Sequence, residues 1–216
     1  MTYTVASIVE EIRVVLDQNM SSTELSELGD VDTLSLDDLI KSKIEDAAQQ
    51  VILSAPYTLL SDIGTSLTGS PTIGVSPFRA NLTLPDDFLR LLCFKFTGWD
   101  YPLYEALPPS SPLYLQAHSK YNVCGTKDRP LVFLCPGSSS KVLEVFCASS
   151  TSDTLDGCQY VKKPAITTVS STDQIDLGKR LKRPTVYYAA YLVALAIREA
   201  DVAEKLLLVC KDMLHE

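Results

Sequence analysis

The residues from Val186 to Ile197, Val186-Tyr187-Tyr188-Ala189-Ala190-Tyr191-Leu192-Val193-Ala194-Leu195-Ala196-Ile197, carry no charge. No other stretch constrains the fold as strongly. Pro184 stands just ahead of it, in a first helical turn, where the N–H that proline lacks would have no partner. A helix that is apolar on every side predicts burial on every side. The run is too short and too rich in tyrosine for a membrane span, which needs about 20 predominantly apolar residues. Its alanines, Ala189, Ala190, Ala194 and Ala196, let neighbouring backbones come close. The polar group Arg198-Glu199-Ala200-Asp201 then marks a tight turn. A second helix is predicted after it, with Val202, Leu206, Val209, Cys210 and Met213 on one face and Glu204, Lys205, Lys211 and Asp212 on the other. A hairpin of this kind cannot cover its own first helix, so other parts of the chain must.

The N-terminal end supplies two amphipathic helices for that purpose. Residues 5–18 place Val5, Ile8, Val9, Ile12, Val15 and Leu16 on one face and Glu10, Glu11, Arg13 and Asp17 on the other, with Thr4 as the cap. Residues 19–34 read as an acidic loop. Ser35 opens a second helix over 36–54, with Asp37 and Asp38 in the first turn, where the helix dipole favours anions. Ile40, Ile44, Ala47, Ala48, Val51 and Ile52 form its apolar stripe, and Pro56 stops it.

The middle of the chain changes period. Residues 61–78 are rich in Gly, Ser, Thr and Pro and read as a loop. Strands are predicted at 79–84, 91–96, 131–135, 142–147 and 159–162, with turns at Pro85–Phe88, Pro136-Gly137 and Asp156-Gly157. A short helix is predicted within 110–121. Residues 164–182 are rich in Ser and Thr. The expected fold class is therefore α+β: a helical bundle made from 1–60 and 183–216, with a β-rich region over 61–182 holding a small antiparallel sheet.

Charge divides the chain in the same way. Residues 1–60 hold eleven Asp and Glu against three Lys and Arg, which already accounts for the net charge of −8. The remainder balances. General affinity for nucleic acid is not expected, because phosphate binding needs clustered cations. The six cysteines form no Cys-x-x-Cys pair and there are two histidines, so zinc-ligand spacing is absent. Glu10, Glu11 and Arg13 within the first helical pattern argue against a secretory leader, so the thiols are expected to be reduced. No membrane span and no cofactor is expected.

Candidates for chemistry are few. Asp86 and Asp87 are adjacent carboxylates, but a turn after Pro85 explains them without a third ligand. His118 offers a base and Ser138, Ser139 and Ser140 offer hydroxyls, yet the strand–Ser–helix elbow is missing. His215 lies at the frayed end of the last helix. Gly64, Gly69 and Gly74 lack the strand, helix and Lys-Ser/Thr of a phosphate loop. No catalytic, metal or cofactor residue is assigned. Interaction residues are the alternative. Trp99, Tyr101 and Tyr104 either face a partner or cap the core of the sheet. The basic cluster Lys179, Arg180, Lys182 and Arg183 is either a solvated lead-in to a helix or a contact to something acidic. The acidic N-terminal module, with Glu24, Glu27 and Asp30, is the preferred partner, on the same chain or on a neighbouring copy.

Three pieces of the sequence carry a resemblance. They are the helices 5–18 and 36–54, the segment Leu84-Pro85-Asp86-Asp87-Phe88-Leu89-Arg90 with the strand that follows it, and the terminal hairpin from Tyr187 through Leu206. In this order they resemble the head-to-tail connector (adaptor, or neck ring) proteins of tailed bacteriophages, especially the ring proteins of crAss-like phages. The resemblance implies a structural, non-enzymatic virion protein made in the host cytoplasm. It implies a homo-oligomeric ring, typically of twelve copies, below the portal protein and next to other neck or tail proteins. DNA would pass through the channel without tight binding. The loop 61–78, with Thr65, Ser66 and Leu67, or the Trp99–Tyr104 segment would meet the neighbouring ring. Some members dock a long C-terminal tail on the portal, and this chain ends at Glu216, soon after its last helix. A head-closure or tail-completion protein is the alternative within the class. An enzyme or small-ligand protein using the inserted sheet is the alternative outside it.

Overall fold

A computed structural model describes residues 1–19, 36–74, 79–119, 125–137, 140–148 and 150–215. The fold is α+β, and it divides into two compact units, one of residues 1–63 with 163–216 and the other of residues 64–162.

The first unit is built around the charge-free helix. Its elements are β1 (Thr2–Thr4), α1 (Val5–Asn19), α2 (Leu36–Ser54) and the short α3 (Tyr57–Leu60). The other elements of the second unit being set aside, the first unit resumes with a two-strand hairpin, Ile166–Val169 and Thr172–Asp176, and ends in two helices, Lys182–Ala196 and Ala200–His215. All six apolar residues of the predicted stripe on α1, and all six on α2, are buried. The six of α1, with Ile40, Ile44, Ala47 and Ala48 of α2, meet Val186, Ala189, Ala190, Val193 and Ala194 of the Lys182–Ala196 helix in one core. Thr4 caps α1 weakly, its Oγ1 accepting from Ser7 N at 3.4 Å. The Ser35 cap and the acidic loop lie outside the described residues.

The second unit holds β2 (Thr65–Ser66), β3 (Thr72–Ile73), β4 (Arg79–Thr83), β5 (Phe88–Cys93), α4 (Pro112–Ala117), β6 (Val132–Pro136), β7 (Lys141–Phe146) and β8 (Gln159–Lys162). Continuing in chain order, the hairpin strands of the first unit are β9 and β10 and its two last helices are α5 and α6. Two antiparallel sheets form the second unit, ordered β2-β8-β5 and β3-β4-β7-β6. Their core carries Leu82, Leu84, Phe94, Phe96, Trp99, Leu143 and Val145. Helix α4 starts as its sequence suggests, with Pro112 at the first position and Ser111 Oγ accepting from Leu113 N.

Three expectations need correction. Residues 163–182 do not belong with the inserted β region. β10 pairs with β1, placing Tyr3 opposite Ile175, and β9 pairs with β10 to complete a sheet in the first unit. Glu45 of α2 fastens this sheet, its Oε1 accepting from Ile166 N at 2.6 Å. The segment 61–78 is not simply a loop. β2 pairs with β8 and β3 with β4, and Leu67 is buried; residues 75–78 lie outside the described residues. The stripe of α6 also runs differently, through Ala203, Leu206, Cys210 and Leu214, whereas Val209 is exposed and Met213 half-buried.

The turn between α5 and α6 is a helix stop that feeds directly into a helix start. Glu199 N donates to Ala194 O at 2.9 Å and Arg198 N to Leu195 O at 3.1 Å, the paired bonds of a Schellman motif. Ala203 N then donates to Glu199 O. Arg198 occupies the position that usually takes glycine, with φ of 68°. A left-handed conformation costs a non-glycine residue about 1–2 kcal/mol, and glycine returns about 0.5–1 kcal/mol of that through its freer unfolded chain. Arg198→Gly is therefore expected to stabilise the protein by about 0.5–1 kcal/mol, read as a higher urea midpoint. Ala190→Leu, which overfills the α5 contact, is expected to destabilise it by about 1–3 kcal/mol.

Candidate functional site

Of the acid and base candidates, Asp87 and His118 are occupied by structural contacts. Pro85 and the β5 start place Asp87 beside β8, where its Oδ1 accepts from Tyr160 Oη at 2.9 Å and its Oδ2 lies 3.4 Å from Lys162 Nζ. The Tyr160 ring stacks on Phe88 with centroids 5.7 Å apart. Burial, and then the Asp87 carboxylate, push the Tyr160 phenol up to about 12. Asp86 is exposed. His118 caps the end of α4, with Nδ1 2.9 Å from Tyr114 O and Nε2 3.3 Å from Glu144 Oε2. Its ring rests against Tyr114 and meets Phe146 edge-on. The cysteine near it, Cys135, is buried, and burial with the Glu144 charge pushes its thiol up, away from the nucleophilic thiolate. Burial and Glu144 also push the Tyr114 phenol up to about 12. This cluster docks α4 on the sheet.

Ser138 and Ser139 lie outside the described residues, and Ser140 lies just ahead of β7. His215 is exposed at the end of α6. The five described cysteines are free thiols. Among the described residues no group of three or more His, Cys, Asp or Glu is placed to hold a metal, and no helix is long and apolar enough to cross a membrane.

The interaction candidates separate into used and unused residues. Trp99 is used. It is 3% exposed, meets Phe94 and Phe96 edge-on, and donates from Nε1 to Cys147 O at 2.8 Å. It belongs to the core of its unit, as does Leu67, so neither is a partner contact. The backbone of Thr65 and Ser66 pairs with Tyr160 and Gln159, which leaves the Thr65 side chain half-buried and Ser66 exposed. Tyr101 and Tyr104 are unused, at 67% and 56% exposed.

Two side chains of the basic cluster, Lys182 and Arg180, are tied within their own unit, and Lys179 is held there by its backbone. Lys182 Nζ pairs with Glu11 of α1 and lies over the Tyr3 ring. Arg180 Nη1 donates to Thr58 O at 3.3 Å, and Lys179 N donates to Asp62 Oδ2 at 3.0 Å. Gly178 permits this last approach, since a Cβ there would meet Asp62 Oδ1 at 2.9 Å. Arg183 is exposed. Glu24, Glu27 and Asp30 lie outside the described residues.

One surface was not anticipated. The expectation that α5 is buried all round does not hold: Tyr187, Tyr188, Tyr191 and Leu192 are half-buried and Leu195 is 45% exposed. The alanine and valine face is covered, apart from the exposed Ala196, whereas the tyrosines and Leu192 pack against the core only in part and Leu195 stays exposed. Together with Leu53 of α2 and Leu207 of α6, this face leaves a groove on the first unit, apolar along Tyr191 and Leu207 and mixed where Lys43, Asp46 and Gln49 edge it. The signal was present in the sequence, because a phenol on a helix needs a polar partner or water for its hydroxyl.

No family model matches this sequence, and no curated protein matches it.

The phenol assignments predict a defined alkaline limit. A phenol whose proton is held more tightly in the folded state contributes stability below about pH 10, its unfolded value, and that contribution is lost as pH rises towards about 12. Absorbance titration is expected to show the Tyr114 and Tyr160 phenols ionising late, with unfolding accompanying them. Asp87→Asn is expected to lower one of these steps, Tyr160, and leave Tyr114 where it is.

Proposed function

We propose that this chain is a structural subunit of a tailed-bacteriophage virion, forming a homo-oligomeric connector ring below the portal. The observation that carries this reading is the half-bare face of α5. A helix with no charge over twelve residues has been left with Tyr188, Tyr191, Leu192 and Leu195 in reach of solvent. An apolar patch retained on a surface marks a contact with another molecule. The order of the parts supports the same reading. Two N-terminal helices and a C-terminal hairpin share one core, and the β unit is inserted between them, as in the connector proteins that the sequence resembles.

The remaining features support a role in contact rather than in chemistry. Asp87 and His118 hold strands and a helix in place. The net charge of −8 suits a channel wall past which DNA slides, because retention would require clustered cations. Neighbours of opposite polarity, the portal on one side and a neck or tail protein on the other, complete the proposal.

Purified protein is expected to form closed rings of about a dozen copies with an axial opening, alone or on portal rings, visible by electron microscopy and native mass spectrometry. Duplex DNA is expected to elute separately at physiological salt. A protein that remains monomeric at high concentration, and that also leaves portal rings undecorated, would falsify this assignment.

A further inference from the structure

We infer that the groove on the first unit is the socket for the Tyr101–Glu105 segment of a second copy, so that copies join head to tail. This rests on the ring reading above and specifies its contact.

The segment is built for presentation. Trp99 anchors one end in the core of its unit through the bond to Cys147 O. Leu103 anchors the other, exchanging two backbone hydrogen bonds with Phe94 at 2.7 and 2.8 Å. Tyr101 lies between these anchors, next to Pro102, and Tyr104 follows the second. Both rings face solvent, and among the described residues neither has a hydrogen bond or a ring contact. Aromatic side chains held by a fixed backbone lose little freedom on binding, so most of their burial counts towards association.

The groove has matching form. It consists of two adjoining hollows, of about 530 and 580 Å³, which share the wall made by Tyr188 and Gln50. Two hollows suit two rings. Charge sets the direction. The first hollow is edged by Lys43 and Asp46, the second by Lys211 and His215. Glu105 directly follows Tyr104 and, among the described residues, has no ion-pair partner; the same is true of Lys43 and Lys211. Placing Tyr104 in the second hollow brings Glu105 to Lys211, and Tyr101 then enters the first, while Asp100 stays with Lys127 of its own copy, 3.3 Å away. A segment and a socket on different surfaces make a heterologous contact, which repeats until the ring closes.

Sedimentation velocity on the purified full-length chain tests this, with circular dichroism confirming that each variant is folded. Y101S/Y104S, at exposed positions, is expected to weaken association about 30-fold, the loss typical of an aromatic anchor. E105K and K211E are each expected to weaken it, and E105K/K211E in one chain to recover most of the loss. Y101S/Y104S mixed with the groove variant L195E is expected to give a 1:1 dimer, because one intact segment then meets one intact socket. Assembly of Y101S/Y104S like the parent, or an E105K/K211E variant no better than its single parents, overturns the inference and leaves the ring reading standing. A parent chain that is monomeric at every concentration, alone and with portal rings, removes both.

Discussion

The close approach of helices to one side of α5 is the contact on which the first unit depends. Ala189, Ala190 and Ala194 are fully buried there, with Val186 and Val193 between them. Small side chains bring helix axes near enough for α1, α2 and α6 to share a single core with α5. Dispersion gains are individually small and are collected only when surfaces meet without gaps. The same requirement explains Thr185, a polar residue in this buried turn, whose hydroxyl donates back to Leu181 O at 2.8 Å.

Packing one face so closely has a consequence for the other. The tyrosines and leucines of α5 are too large to admit a neighbouring backbone at the same distance, so the flanking helices cover them only in part. One helix thus provides both the fixed centre of its unit and a surface suited to a further molecule. The second unit shows the same division within a shorter span. Trp99 and Leu103 are committed to the core, and Tyr101 and Tyr104, beside them in sequence, are left outside. In both places residues of one chemical type are sorted into structural and available sets by which side of the backbone they occupy.

Legibility in the sequence followed burial. α1 and α2 repeat apolar residues at helical spacing against charge, and every residue of those stripes is buried where the spacing places it. β4, β6, β7 and β8 also lie close to their predicted positions, since their apolar residues line a core. The strands that escaped notice are short or exposed. β9 is Ile-Thr-Thr-Val, with only Ile166 even partly covered, and its turn runs through Ser170 and Ser171 at positive φ without the Asn-Gly that marks such turns. β2 and β3 have two residues each, too few to show a period, and the partner of β2 is distant in the chain.

What the sequence by itself determined is therefore the set of elements whose periodicity records a buried face, the α+β class they imply, and the way the two ends of the chain separate from the middle. What only the tertiary structure decided is which apolar residues remain uncovered. Trp99 and Tyr101 are two positions apart and equally aromatic, and Ala190 and Tyr191 are adjacent in a run without charge. Local sequence states how much apolar surface a segment carries. How much of it is covered depends on the number and size of the elements packed against it, some of them neighbours in the chain, as α6 is to α5, and others, as α1 and α2 are, more than a hundred residues away.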